Sequence, residues 1–225
     1  MEGEIVVNGV RFEADHRGAL FWRERSLLAV ADLHFEKGSS YARGAQFLPP
    51  YDTVATLEKL EACLTRFQPR HVVCLGDSFH DAEGSQRMEA AARSRLAAMM
   101  QGRSWIWILG NHDPAPPKDL GGEVMEDLIE GGIVFRHQAL DRAAPGEISG
   151  HYHPKATVRR RGRAISRRCF AGDGSRLVMP AFGAYTGGLE VTAPALRALF
   201  GKAPTYWLLG SERVYGYRDA DLTAN

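Results

Sequence analysis

The feature that most constrains this chain is a junction that recurs four times: an apolar run stopping at a cluster of aspartate, asparagine and histidine. Leu27–Ala31 runs into Asp32-Leu33-His34, and Val72–Leu75 runs into Gly76-Asp77. Trp105–Leu109 runs into Gly110-Asn111-His112-Asp113, and Ile148-Ser149 into Gly150-His151-Tyr152-His153. Short continuous apolar runs read as strands buried on both faces. Open α/β sheets place their sites outside the carboxyl ends of such strands, and a glycine there lets the backbone turn sharply or approach a ligand. Each junction alone has a bland reading: an Asp two residues from a His recurs without function, and Gly-Asp after a strand is often a turn. Four in one chain, each after an apolar run, are not explained by packing.

The rest of the pattern is mixed. Strands are expected at Ile5–Val7 and Val10–Glu13 around an Asn8-Gly9 hairpin turn, then at Gly18–Trp22, Leu27–Ala31, His71–Leu75 and Trp105–Leu109. Leu57, Leu60 and Leu64 at helical spacing predict a helix to about Phe67 with Asp52 as N-cap, and Met88–Met100 has helical propensity. From Glu123 onward strands dominate: Glu123–Ile129, Ile133–His137, Glu147–Ser149, Ala156–Arg160, Ala164–Ala171 and Leu177–Met179, with Asp173-Gly174 as a second hairpin turn. A short helix near Pro194–Phe200 and strands at Thr205–Leu209 and Arg213–Tyr217 close the chain. Early strand–helix alternation and late strand runs predict an α/β sandwich of mixed sheets, with Trp105 and Trp107 in its core.

The 225 residues fit one domain spanning 1–225, without repeats or an evident linker. A formal net charge of +1 means that any attraction to nucleic acid must be local. The acidic start lacks the basic and apolar parts of a secretory signal, and no apolar stretch is long enough to cross a bilayer, so no membrane partner is expected. Cys63, Cys74 and Cys169 are odd in number, dispersed and flanked by apolar residues, the pattern of reduced core cysteines in a cytoplasmic protein.

In order, these clusters resemble the signature of the calcineurin-like metallophosphoesterase superfamily: D-x-H, G-D, G-N-H-[DE], a lone H and G-H-x-H. Here they are Asp32-Leu33-His34, Gly76-Asp77, Gly110-Asn111-His112-Asp113, His137 and Gly150-His151-Tyr152-His153. The resemblance implies a sandwich of two mixed β-sheets flanked by helices. It also implies that Asp32, His34 and His153 hold one metal, that Asn111, His137 and His151 hold the other, and that Asp77 bridges them. Among these, His137 also has a reading as a strand cap, and its position between the third and last motifs is what recommends it as a ligand. His112 matches the non-ligand histidine that stabilises charge or protonates the leaving oxygen, with Asp113 or Asp81 as candidates to orient it. Oxygen and nitrogen ligands without thiolate suit manganese, iron or zinc better than magnesium or calcium. Two such cations neutralise a phosphodiester and lower the pKa of water between them.

Within the superfamily the chain is similar to bacterial ligase-associated DNA-damage-response endonucleases. That similarity is carried by Asp32-Leu33-His34-Phe35-Glu36-Lys37, Gly76-Asp77-Ser78-Phe79-His80-Asp81, Gly150-His151-Tyr152-His153-Pro154 and the segment from Pro180 to Gly188. It implies cleavage of DNA phosphodiesters, manganese as the metal, and a DNA ligase and helicase of a repair system as partners. Phosphoprotein phosphatases of the superfamily carry Gly-Asp-x-x-Asp-Arg at the second motif. Here His80-Asp81 stands in place of Asp-Arg, so the phosphate-gripping arginine is missing and His80 is a candidate substrate contact.

Other candidate contacts each have a structural alternative. Lys155 to Arg168 contains Arg159, Arg160, Arg161, Arg163, Arg167 and Arg168 and no acidic residue. Arg159 and Arg161 stand for a basic flap over DNA phosphates, or the run only keeps an edge strand soluble. Lys37 and Arg43 follow the first motif and reach the same anion or cap local structure. Tyr185 stacks on a base or packs its own loop. Three functional readings follow: a nuclease, a hydrolase of small phosphodiesters or nucleotides, and a metal-holding module without catalysis. His112, which has no ligand role, favours the hydrolases. Oligomeric state is not legible in the sequence.

Overall fold

The protein is described from a computed structural model, which covers residues 3–43, 51–112, 120–141, 145–160 and 162–222. The first sheet follows the chain: β1 (Glu4–Val7), β2 (Val10–Ala14), β3 (Leu20–Trp22), β4 (Leu27–Ala31), β5 (His71–Leu75), β6 (Ser104–Ile108) and β7 (Glu123–Met125) lie in that order. The first four are antiparallel neighbours, and β4 through β7 are parallel. Asn8 and Gly9 turn β1 into β2 with φ of 48° and 80°, the paired left-handed conformation of a two-residue hairpin.

Between β4 and β5 the chain forms α1 (Lys37–Arg43) and α2 (Asp52–Phe67). Between β5 and β6 it forms α3 (Gly84–Arg87) and α4 (Ala90–Met100). The second sheet contains β8 (Asp127–Glu130), β9 (Ile133–Arg136), β10 (Glu147–Ser149), β11 (Pro154–Arg160), β12 (Arg163–Gly172), β13 (Arg176–Val178) and β14 (Leu189–Glu190). After α5 (Pro194–Arg197) come β15 (Thr205–Leu209) and β16 (Val214–Arg218). The order is β14-β11-β12-β13-β10-β9-β8, with β15 paired to β12 and β16 to β15.

The core explains the layers. Ala29, Ala31, Val73, Leu75, Ile106 and Ile108 of the first sheet meet Ile133, Phe135, Ile148, Phe170 and Leu177 of the second in one buried cluster. The other face of the first sheet packs Leu28, Val30, Val72, Cys74, Trp105 and Trp107 against Leu57, Leu60, Leu64 and Leu96 of α2 and α4. The far side of the second sheet packs Val158, Cys169 and Tyr206 against Leu196 and Leu199. Two mixed sheets face each other with helices outside, as the resemblance implied. The three cysteines are buried and form no disulfide among the described residues, and no described helix is long and apolar enough to cross a membrane.

Three expectations need correction. Tyr51, not Asp52, is the N-cap of α2; Asp52 is buried in the first turn, where its carboxylate accepts the Gly38 N–H at 3.0 Å and ties α1 to α2. The run Glu123–Ile129 is two strands in different sheets, because the chain crosses the sandwich at Glu126 while its apolar pattern continues. The helix expected from Met88 begins at Ala90, preceded by the separate turn of α3.

Candidate metal centre

Because β4, β5 and β6 are parallel neighbours, the segments after them emerge along one edge of the first sheet. The parallel strands β9 and β10 deliver His137 and Gly150–His153 to the facing edge of the second. The edges are stitched together where they meet. The His151 N–H donates to both Asp32 oxygens at 3.2 and 3.0 Å, and His137 Nδ1 lies 3.1 Å from the Leu75 carbonyl.

That last contact fixes what His137 offers. A carbonyl only accepts, so Nδ1 carries a proton, and in the neutral ring Nε2 keeps its lone pair. Nε2 points at Asn111 Oδ1 at 2.8 Å, His151 Nδ1 at 3.1 Å and Asp77 Oδ2 at 3.4 Å. Asn111 Oδ1 is also 3.0 Å from His151 Nδ1. Oxygen and nitrogen acceptors converging without enough hydrogens between them suit a cation at their centre.

The second group is Asp32, His34 and His153, whose donor atoms all lie within 4.8 Å of one another, as do those of Asp77, His137 and His151. His34 Nε2 faces His153 Nε2 at 3.3 Å, and His153 Nε2 is 3.4 Å from Asp32 Oδ1. Burial, reinforced by neighbouring His153, His80 and Lys37, pushes the His34 pKa down to about 2, so its ring is neutral as a metal ligand must be. The groups adjoin: Asp32 Oδ1 is 3.7 Å from His137 Nδ1. His34 Nδ1 is buried without a hydrogen-bond partner among the described residues.

The backbone is bent to make this arrangement. Asp32, His34, Asp77, His151 and His153 have φ of 53°, 44°, 46°, 69° and 46°, half of the ten non-glycine residues in the left-handed region among those described. Such strain, of order 1–3 kcal/mol per residue, collects where function over-determines the chain. Space is equally constrained. A Cβ on Gly76 would lie 2.3 Å from His137 Nδ1, and one on Gly150 would lie 2.6 Å from Asp32 Oδ2.

The segment Met179–Leu189 braces the backbone at Asp32 and His153 from behind. Phe182 and Gly183 donate to the Ala31 and Asp32 carbonyls at 2.7 and 3.0 Å, and Leu189 donates to the His153 carbonyl at 3.0 Å. Lys59 Nζ donates to the Phe182 carbonyl, and Arg168 Nη1 donates to those of Ala181 and Gly183 at 2.8 and 3.0 Å. Sequence reasoning missed Lys59. Its signal was a lysine on the buried stripe of Thr56, Leu60 and Cys63. Burial, helped by nearby Arg168, lowers its pKa to about 7.

His112 lies beside the first group. Its backbone N–H donates to Asp77 Oδ1 at 2.9 Å, and its ring is edge-on to His34 at 5.5 Å and stacked on His80 at 5.4 Å. His80 also lies 5.5 Å from His34 and 5.6 Å from Tyr41, a neighbour not expected from the sequence. Its Nδ1 is buried without a partner among the described residues, and burial, then Lys37, lowers its pKa. Lys37 is half-buried near these rings, with its pKa also lowered by burial.

The other expected contacts are dispersed. Asp81 does not orient His112: its two oxygens accept from Arg87 at 2.8 and 2.7 Å, a bidentate pair that holds its pKa well below the usual carboxylate range. Asp113, Arg161 and the Arg43 side chain lie outside the described residues. Arg159 is exposed, six residues up β11 from His153, and Arg168 is structural. Tyr185 is 49% exposed at a φ of 56° within the bracing segment.

Comparison with known proteins finds a matching family and similar solved structures. The family described as calcineurin-like phosphoesterase matches residues 25–161. A nuclease from Pseudomonas putida, designated MPE, shares the fold at a TM-score of 0.73 and 25% identity, covering 96% of this chain and all of its own. Yfce, a phosphoesterase from E. coli, aligns at a TM-score of 0.44 and 12% identity over 87% of this chain and 98% of its own. No curated sequence matches the chain.

Proposed function

Since the chain belongs to the calcineurin-like phosphoesterase family and is therefore a metal-dependent hydrolase of phosphoesters, we propose that it cleaves phosphodiesters, with DNA as substrate, at a pair of divalent cations. The observation that carries this reading is the pair of adjoining donor groups, Asp32/His34/His153 and Asp77/His137/His151 with Asn111. Asp77 Oδ2 faces His137 while Oδ1 accepts the His112 N–H, and its role as the residue that would bridge the two cations rests on the family resemblance. Manganese is our choice of metal on donor type, with iron or zinc compatible. Bound there, the cations neutralise phosphate charge and supply water of lowered pKa.

The protein's own residues do the rest. His112, held against Asp77 and packed beside the His34 and His80 rings, gives a proton to the leaving oxygen, a role worth about 10²–10⁴-fold. His80 and Lys37 face the same space and bind the anion. Asp81, which stands where the phosphate-gripping arginine would be and is taken by Arg87, favours a diester over a phosphoprotein monoester. The Pseudomonas putida protein of the same fold is a nuclease, which supports nucleic acid as the polymer. A role in repair beside a ligase and helicase rests on the bacterial resemblance in the sequence.

The test is hydrolysis of bis-p-nitrophenyl phosphate beside p-nitrophenyl phosphate with manganese. Preferential diester turnover, lost in Asp77→Asn, is expected. No turnover of either ester despite stoichiometric metal would leave a binding module.

A further inference from the structure

The arginine run is not one surface. In the β11–β12 hairpin, Arg160 pairs with Arg163, Val158 with Ile165 and Ala156 with Arg167, while Arg159 pairs with Ala164 and Lys155 with Arg168. Side chains alternate across a strand, so Arg160, Arg163 and Arg167 share one face, and Arg159 and Arg168 share the other. On the first face the hairpin meets β16. Arg160, Ile165, Arg167, Tyr215 and Tyr217 line a groove of about 370 Å³. A second groove of about 490 Å³ shares Arg160, Tyr215 and Tyr217 and adds Trp207. Neither lining contains a carboxylate. Arg160 and Arg163 form no ion pair among the described residues, and Tyr215 is 44% exposed. Arg213 lies 5.7 Å from the Tyr215 ring.

We propose that this strip is a second nucleic-acid site, which holds a single strand running away from the metal edge; the inference rests on the reading of the protein as a nuclease. The chemistry is that of single-strand binding: guanidinium groups meet phosphates while aromatic rings stack on bases. Double-stranded DNA fits less well, because the aromatic faces gain nothing from bases already stacked in a duplex. The separation is set by the hairpin. Arg160 lies six residues beyond Pro154, about 20 Å of extended strand. The strip therefore does not touch the scissile phosphate; it grips the same polymer several nucleotides away.

The test is fluorescence anisotropy of a labelled oligothymidylate against the full-length protein over a range of salt, without added divalent metal. Wild type is compared with the double variant Arg160→Gln/Arg167→Gln, with Tyr215→Ala, and with Arg70→Gln/Lys202→Gln, which removes the same charge elsewhere. Thermal unfolding confirms that each variant is folded. The arginine variant is expected to lower the slope of log affinity against log salt by about 1.4, at roughly 0.7 per lost phosphate contact. Tyr215→Ala is expected to weaken binding about tenfold with the slope retained, and the control pair is expected to change neither. An unchanged slope in Arg160→Gln/Arg167→Gln, or an equal loss in the control pair, overturns the proposal. Wild type that hydrolyses the small diester yet fails to bind overturns it while leaving the phosphodiesterase reading intact. Binding lost as expected in a protein that hydrolyses no ester supports the strip and removes that reading alone.

Discussion

The metal edge and the arginine hairpin are joined end to end, His153 closing one and Pro154 opening the other, yet they are built on opposite terms. At the edge, Asp32, His34, Asp77 and His137 are all buried, strained backbone is concentrated, and an added methyl group at Gly76 or Gly150 strikes His137 or Asp32. On the outer half of the hairpin, Arg159, Arg160, Arg163 and Arg167 are exposed on regular strands, and a Cβ on Gly162 would meet nothing within 4 Å. A site that must hold lone pairs against one another needs every neighbour fixed. A surface that meets a flexible polyanion needs only charge and a face. Mutations should therefore act sharply in the first region and gradually in the second.

The sharpest contrast is catalytic. His112→Ala is expected to lower kcat for the diester by about 10²–10⁴-fold with metal content unchanged, whereas Arg159→Ala should leave it at wild type. Steady-state kinetics beside metal analysis reads both. Arg168 tests the boundary, since it belongs to the run by sequence and to the edge by structure. Losing its hydrogen bonds to Ala181 and Gly183 should cost about 1.5–3 kcal/mol in chemical denaturation. Arg167→Ala should stay within about 0.5 kcal/mol. If the two arginines behave alike, the division is wrong.

Glycines sharpen it further. Gly150→Ala should weaken metal binding by about 10–100-fold, the range for displaced supports of a metal ligand. Gly162→Ala should leave metal affinity alone and cost only the left-handed backbone penalty, about 1–2 kcal/mol, in a metal titration paired with thermal unfolding. The gentlest effect is a slope with pH. Lys59 has a pKa of about 7 when folded against 10.5 for the free side chain, so between those values the unfolded chain binds the extra proton. Stability should then rise as pH increases from about 7 toward 10.5, and this component should vanish in Lys59→Met.

Much of this was legible before the fold. Leu27–Ala31, His71–Leu75 and Glu147–Ser149 are strands with the bounds the apolar pattern predicts, because buried strands with parallel neighbours carry a strong, uninterrupted signal. The convergence of these side chains was legible because few other roles bring Asp, Asn and His together at strand ends. What escaped were contacts that depend on where separate segments meet. Asp81 was one of two candidates to orient His112, but Arg87, six residues on, folds back in α3 and takes its carboxylate. Lys59 has no motif of its own, only an inconsistent place on an apolar face. Nor does periodicity reveal a change of sheet, so β7 and β8 read as one strand.

The central claim is a pair of cations held by one cluster, and electron paramagnetic resonance of the protein titrated with manganese tests it most directly. The expected result is saturation at two ions per chain with the signal of a magnetically coupled pair, uncoupled in Asp77→Asn. Saturation at one ion, or two ions without coupling, would contradict it.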